Sequence, residues 1–253
     1  MRASSMALAG RYYRNYPVGA PLGHTEEVFE LEVARTVFLI IDVYGQGFGA
    51  EAESEGVPEA YRKFVRDNRD VVVGHIVPAK AAAKQLGLPI VYLTNYLSPA
   101  LGQQSELCEI SRRVDGIDLL EAWREPNDIL SISDVIAPAE GELLVKKQLY
   151  SGFFETHLDS LLRRLDARNL ITVGFESQVC LGTTVTDAMY RNYRVWVLRD
   201  AIATAEWPET AEGRWANFLA VRFIETHVGL TCTTQQWVRA CTAAAAGGPV
   251  QAR

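Results

Sequence analysis

The stretch Leu170-Ile171-Thr172-Val173-Gly174-Phe175-Glu176-Ser177-Gln178-Val179-Cys180-Leu181-Gly182-Thr183-Thr184 carries an apolar run, a glycine and then a cysteine. The run predicts a buried strand, Gly174 opens a turn, and Val185–Tyr190 continues a helix whose first residues lie near Cys180. A thiol at a helix start faces unpaired N–H groups and a partial positive charge, which favour thiolate over thiol. Read alone, Cys180 is equally a small buried apolar residue, the usual fate of a free cysteine. The charges on neighbouring strands decide between the two.

Outward from this stretch, Thr36–Ile41 is a continuous apolar run that ends in Asp42 and leads into the glycine-rich Val43–Gly49. Neither Gly-Lys-Ser/Thr nor the G-x-G-x-x-G spacing is present there, so it is not a phosphate loop. Residues 50–57 read as acidic loop and 58–86 as helix, restarting at Pro78 and closing at Gly87. Strands are expected at 89–94, ending at Asn95, at 142–147, ending in Lys147, at 170–173, at 195–198 and near 231–233. Helices are expected over 154–165, from Pro208 to about 228, and over 234–245. Strand–helix alternation with apolar strands predicts an α/β fold. The expected architecture is one Rossmann-like, three-layer α/β/α domain on a six-stranded, mostly parallel sheet. Its expected divisions are a tyrosine-rich arm over 1–34, the domain over 35–246 with an irregular substrate-loop insertion at 96–140, and a tail over 247–253.

The 253 residues, 48% hydrophobic and 22% charged, suit one substantial core. A net charge of −6 and the lack of a basic stripe argue against nucleic acid as a partner. No apolar run reaches the roughly 18 residues that span a bilayer, and the apolar part of Met1–Ala9 is short for a signal peptide. Cys108, Cys180, Cys232 and Cys241 form no C-x-x-C pair or zinc spacing, so a soluble, cytoplasmic protein with reduced thiols is expected.

In a doubly wound sheet, ligands bind beyond the carboxyl ends of the strands, where Asp42, Lys147 and Cys180 fall together. Singly, Asp42 could cap a loop and Lys147 could be a solvated rim lysine. Together they make a base, a cation and a thiol: a carboxylate to take the thiol proton and an ammonium to stabilise the thiolate. Backbone N–H groups of the 175–180 turn can receive the oxyanion of a carbonyl under attack.

Asp42 ending its strand, Lys147-x-x-Tyr150-Ser151-Gly152-Phe153, and Gly174 six residues before Cys180 with Thr184, Asp187 and Ala188 beyond it resemble the isochorismatase-like cysteine hydrolases. The resemblance covers about residues 35–235. It implies an Asp42–Lys147–Cys180 triad, a cis peptide at Phe175-Glu176, an oxyanion hole from the N–H groups of Glu176 and Cys180, and no cofactor. Lys147–Thr156 and Ile224–Thr226 are most similar to the branch that cleaves carbamoyl or ureido C–N bonds, acting on ureidoacrylate, N-carbamoylsarcosine or biuret. A small amide or ureide substrate is then implied, with Asn95, Tyr150 and Glu225 as contacts and a homo-oligomer as the assembly. Glu225 could equally be a structural helix-end carboxylate. The Asp-x-His…His metal cluster of related nicotinamidases is absent, Asn95-Tyr96-Leu97-Ser98-Pro99 standing in its place, so no metal is expected. The 96–140 insertion fits the resemblance poorly. Another linear amide, a hydrazide, a guanylurea-like cation or a lactam stays open as substrate, and so does a non-enzymatic binding module on the same fold.

Overall fold

In the computed structural model, which describes residues 4–15, 23–44, 66–102, 105–114, 116–123 and 131–247, eight strands form one sheet. They are β1 (Ser5–Arg14), β2 (Gly23–Glu32), β3 (Thr36–Ile41), β4 (Ile90–Asn95), β5 (Leu143–Lys147), β6 (Asn169–Phe175), β7 (Arg194–Ala203) and β8 (Leu230–Cys232). The order across the sheet is β2-β1-β8-β7-β6-β3-β4-β5. The six strands from β8 to β5 are parallel, and β1 and β2 join antiparallel at the β8 edge. The expected six-stranded sheet is therefore corrected to eight, because strands of the 1–34 arm pair into it. Met6 and Leu8 point into the core while their β1 neighbours are less buried. β2, the outer edge, carries Glu26, Glu27, Glu30 and Glu32, charges that discourage pairing with another sheet.

β3 is buried at every position because both of its faces are covered. Phe38 and Ile40 face a core shared with Val72, Ile76, Ala79 and Trp237. Val37, Leu39 and Ile41 face the opposite core, with Leu158, Leu162, Leu181 and Val185. Each such aliphatic residue contributes about 1.5–3 kcal/mol by leaving water. On the first face, the Val77–Leu86 helix starts with Pro78 in its first turn and ends at Gly87, whose φ of 70° closes it. The adjoining Thr234–Ala245 helix is held by a capping box of Thr233 and Gln236.

Two predicted helices begin later than their apolar patterns suggest. Thr156 accepts from the Leu158 N–H and so starts that helix at Leu158, while Ser151 and Thr156 tie residues 151–156 into turns. After Pro208 the chain stays in turns until Trp215, because Gly213 and Arg214 take positive φ. The Glu206 carboxylate then caps the new helix by accepting from the N–H groups of Ala216 and Asn217, at 2.9 and 3.0 Å. The glycine-rich 45–49 segment, the acidic 50–57 segment, the first part of the 58–86 helix and most of the tail lie outside the described residues. No helix among the described residues is long and apolar enough to cross a membrane.

The chain runs from β3 outward to β4 and β5, then returns to the other side of β3 to lay down β6, β7 and β8. The gap between β3 and β6 is thus the topological switch point, where a crevice opens at the carboxyl ends. Gly174 permits the close approach there. It sits at φ 115°, and a Cβ at that position would lie 2.0 Å from the Ile41 carbonyl oxygen.

Candidate active site

Asp42 follows β3 directly and takes a left-handed turn at φ 50°, a conformation that aspartate tolerates better than most residues. Its N–H donates to the Leu93 carbonyl at 3.1 Å, which fixes the loop to β4. Lys147 is the last residue of β5 and Cys180 the first residue of the Cys180–Tyr190 helix after β6. The structure brings all three side chains together. Lys147 Nζ lies 2.8 Å from Asp42 Oδ2 and 3.4 Å from Cys180 Sγ, and donates to the Leu149 carbonyl at 3.1 Å. It also donates to Asn95 Oδ1. Asp42, Asn95, Lys147 and Cys180 are each at most 9% exposed, so these charges interact in a poorly screened interior.

Burial pushes the Lys147 ammonium down, but the negative charges of Asp42 and Cys180 outweigh it and hold the lysine protonated with a raised pKa. Burial also pushes the Cys180 thiol up, and Asp42 adds to that rise while Lys147 opposes it. These surroundings favour the thiol form of Cys180 beside the Asp42–Lys147 ion pair, against the thiolate that a helix start alone suggests. The thiol needs a base. The carboxylate beside it is Asp42; among the described residues no donor is aligned on Asp42 Oδ2 as a hydrogen bond, although the ammonium is within ion-pair distance.

A residue that sequence reading missed completes the group. Tyr44 Oη donates to Asp42 Oδ1 at 2.6 Å and accepts from the Asn95 N–H at 2.5 Å. The only sequence signal for it is a hydroxyl two residues after the carboxylate in a turn.

The Phe175-Glu176 peptide is cis. The following turn is pinned by the Ser177 N–H on the Ala203 carbonyl and by the N–H groups of Val179 and Leu181 on the Glu176 carbonyl. Among the backbone hydrogen bonds of the described residues, the N–H groups of Glu176 and Cys180 are not used. Thr184 ties the 150–152 segment to the Cys180–Tyr190 helix by accepting from the Gly152 N–H and donating to the Cys180 carbonyl, at 2.9 and 2.6 Å. Ser151 donates to Asp187 on the same helix. Tyr150 thereby lines an apolar groove of about 670 Å³ with Phe154, Gln178, Thr183, Leu219 and Phe223. The groove runs beside the turn; Cys180 and Asp42 do not line it.

Glu225 is not brought into this group. Its carboxylate, 3% exposed, takes Arg11 at 2.7 Å, His24 at 3.0 Å and the Thr231 hydroxyl at 2.6 Å, anchoring the β1–β2 hairpin. Glu225→Ala is expected to lower stability by about 3 kcal/mol in urea denaturation, because Arg11 loses its buried partner. A fall in turnover at unchanged stability would instead put this carboxylate at the substrate.

Residues 36–234 match the isochorismatase domain. A ureidoacrylate amidohydrolase of Methylorubrum extorquens is 32% identical over 172 residues, which cover 62% of this chain and 65% of that protein, just under two thirds of its length. A ureidoacrylate amidohydrolase of Cronobacter turicensis is 31% identical over 188 residues, covering 69% of this chain and 76% of that protein. Among solved structures, a cysteine hydrolase from Pseudomonas syringae pv. phaseolicola superposes with a TM-score of 0.67 at 22% identity, covering 85% of this chain and 95% of that one. An N-carbamoylsarcosine amidase from Thermoplasma acidophilum gives 0.56 at 24% identity, covering 79% and 96%. The matched segment holds the switch-point crevice and the Asp42, Lys147 and Cys180 side chains that meet in it, and the chain belongs to the isochorismatase family.

Proposed function

We propose that the protein is a cysteine-dependent amidohydrolase that cleaves a carbamoyl, ureido or linear amide C–N bond of a small molecule, with a ureidoacrylate-like ureide as the favoured substrate. One observation carries this reading: a buried thiol, a carboxylate oxygen without an aligned donor and an ammonium meet at the switch point. The relatives named ureidoacrylate amidohydrolase support the choice of substrate.

In this mechanism the Cys180 proton passes to Asp42 Oδ2 as sulfur attacks the carbonyl carbon. The N–H groups of Glu176 and Cys180 receive the oxyanion, and Lys147 balances the charge on sulfur and carboxylate. Collapse breaks the C–N bond, and the departing ammonia or amine takes the proton back from Asp42. A water then gives its proton to Asp42 and attacks the acyl-enzyme. The acid leaves and the proton returns to sulfur. A carbamate product decomposes to ammonia and carbon dioxide. Asn95 and Tyr150 flank this chemistry as the proposed substrate contacts.

The test is product release from a panel: ammonia from ureidoacrylate, N-carbamoyl amino acids, biuret and guanylurea, hydrazine from hydrazides, and the ring-opened amino acid from lactams. Wild type is expected to favour a ureide, and Cys180→Ala to lower that turnover by at least about 10⁴-fold. Full turnover by Cys180→Ala would sink the mechanism.

A further inference from the structure

Three residues close a ring with the base. Tyr44 Oη donates to Asp42 Oδ1 and accepts from the Asn95 N–H, Asn95 Oδ1 accepts from Lys147, and Lys147 returns to Asp42 Oδ2. Each link comes from the end of a different strand or from the loop after β3. Tyr44 is itself held from outside the ring by a bridge to Ile132, and the adjacent Val43 carbonyl accepts from the Ser133 N–H at 3.0 Å. One carboxylate oxygen is thus satisfied by a neutral donor, and the other lies against the ammonium that also reaches the thiol.

We propose that Tyr44 is a positioning residue for catalysis: its hydroxyl occupies Asp42 Oδ1 and sets the carboxylate so that Oδ2 alone exchanges the proton with Cys180. The inference rests on the reading of Asp42 as the base and adds a residue to it. The tyrosine suits this part because burial and the Asp42 charge hold its hydroxyl protonated far beyond neutral pH, so that it stays a donor. A hydroxyl that also takes the Asn95 N–H cannot swing to another acceptor without stranding a buried backbone donor.

Among the described residues, the titratable groups facing Asp42 are Tyr44, Lys147 and Cys180. A donated hydrogen bond favours the charged carboxylate, so removing it makes that carboxylate bind its proton more readily. The acidic limb of kcat/KM, which reports an ionised base in the free enzyme, then moves to higher pH.

The experiment measures pH profiles of kcat and KM for wild type, Tyr44→Phe, Asp42→Asn and Cys180→Ala, on the ureide that wild type turns over best, beginning with ureidoacrylate. Circular dichroism and melting temperature accompany each. Tyr44→Phe is expected to lower kcat about 10- to 100-fold with KM within about threefold of wild type, and to move the acidic limb upward. Replacing Tyr44 site-specifically with 3-fluorotyrosine, a stronger donor on an almost unchanged ring, is expected to move the limb downward, and it keeps the test open if Tyr44→Phe folds poorly. An unchanged profile in both variants overturns the proposal while leaving Asp42 as the base. A rise in KM at constant kcat also overturns it, by making Tyr44 a substrate contact. Wild-type turnover in Asp42→Asn or Cys180→Ala, or no ureide turnover by wild type, overturns the reading beneath it.

Discussion

Asp42→Asn is expected to lower turnover by about 10³-fold while making the thiol easier to ionise. The two effects have opposite signs and one cause. Asp42 raises the Cys180 pKa by its charge, and Lys147 lowers it. Neutralising position 42 leaves the ammonium as the dominant neighbour, so iodoacetamide should alkylate Cys180 at lower pH in the variant than in wild type. In wild type, where burial and Asp42 both push the thiol up, alkylation should keep rising beyond the usual thiol range near about 8.5. Turnover nevertheless falls, because the carboxylate takes the thiol proton, returns it to the leaving nitrogen and then deprotonates water. Asparagine keeps an oxygen toward Lys147 but not the countercharge of this buried ammonium, so some stability is lost as well, and circular dichroism checks that the fold holds. Alkylation profiles followed by mass spectrometry, beside ammonia assays, measure both effects. Slower alkylation together with retained turnover would reverse the assignment.

Lys147→Met is expected to affect stability as much as activity. The side chain is fully buried and ties together Asp42, Asn95, the Leu149 carbonyl and the thiol. Removing it strands a carboxylate in the interior, which should destabilise the fold by about 3–5 kcal/mol at neutral pH and abolish measurable turnover. In wild type the raised lysine pKa sets an alkaline limit on the pair. Its contribution is complete below the unfolded value of about 10.4 and is lost only as pH rises through the higher folded value. Urea denaturation of both proteins from pH 5 to 10 checks the magnitude and the trend. A variant as stable as wild type at pH 8 would mean that the pair is not buried as described.

The parallel sheet and the placing of Asp42, Lys147 and Cys180 at one edge were legible because each follows a strand read from a short apolar run, and a right-handed parallel topology sends such strand ends to one edge. The N-terminal hairpin was not. Its inner strand alternates weakly, its outer strand is acidic, and its register is set by pairing to β8 more than two hundred residues away. Glu225 was ambiguous for the same reason, since its partners Arg11 and His24 lie on that hairpin. Tyr44 was hidden because only the left-handed turn at Asp42 and the bridge to Ile132 place its hydroxyl on the carboxylate. The late helix starts depend on side chains of Glu206 and Thr156 competing with backbone partners, which an apolar pattern does not register.

The most direct test of Cys180 as nucleophile is partitioning with hydroxylamine during turnover of the preferred ureide or amide. An acyl- or carbamoyl-enzyme should transfer its acyl group to hydroxylamine, giving a hydroxamate or hydroxyurea that rises with the added nucleophile as the hydrolytic product, with any ammonia that comes from it, falls by the same amount. The transfer should vanish in Cys180→Ala. Turnover that yields hydrolysis products alone at every hydroxylamine concentration would contradict the thiol mechanism.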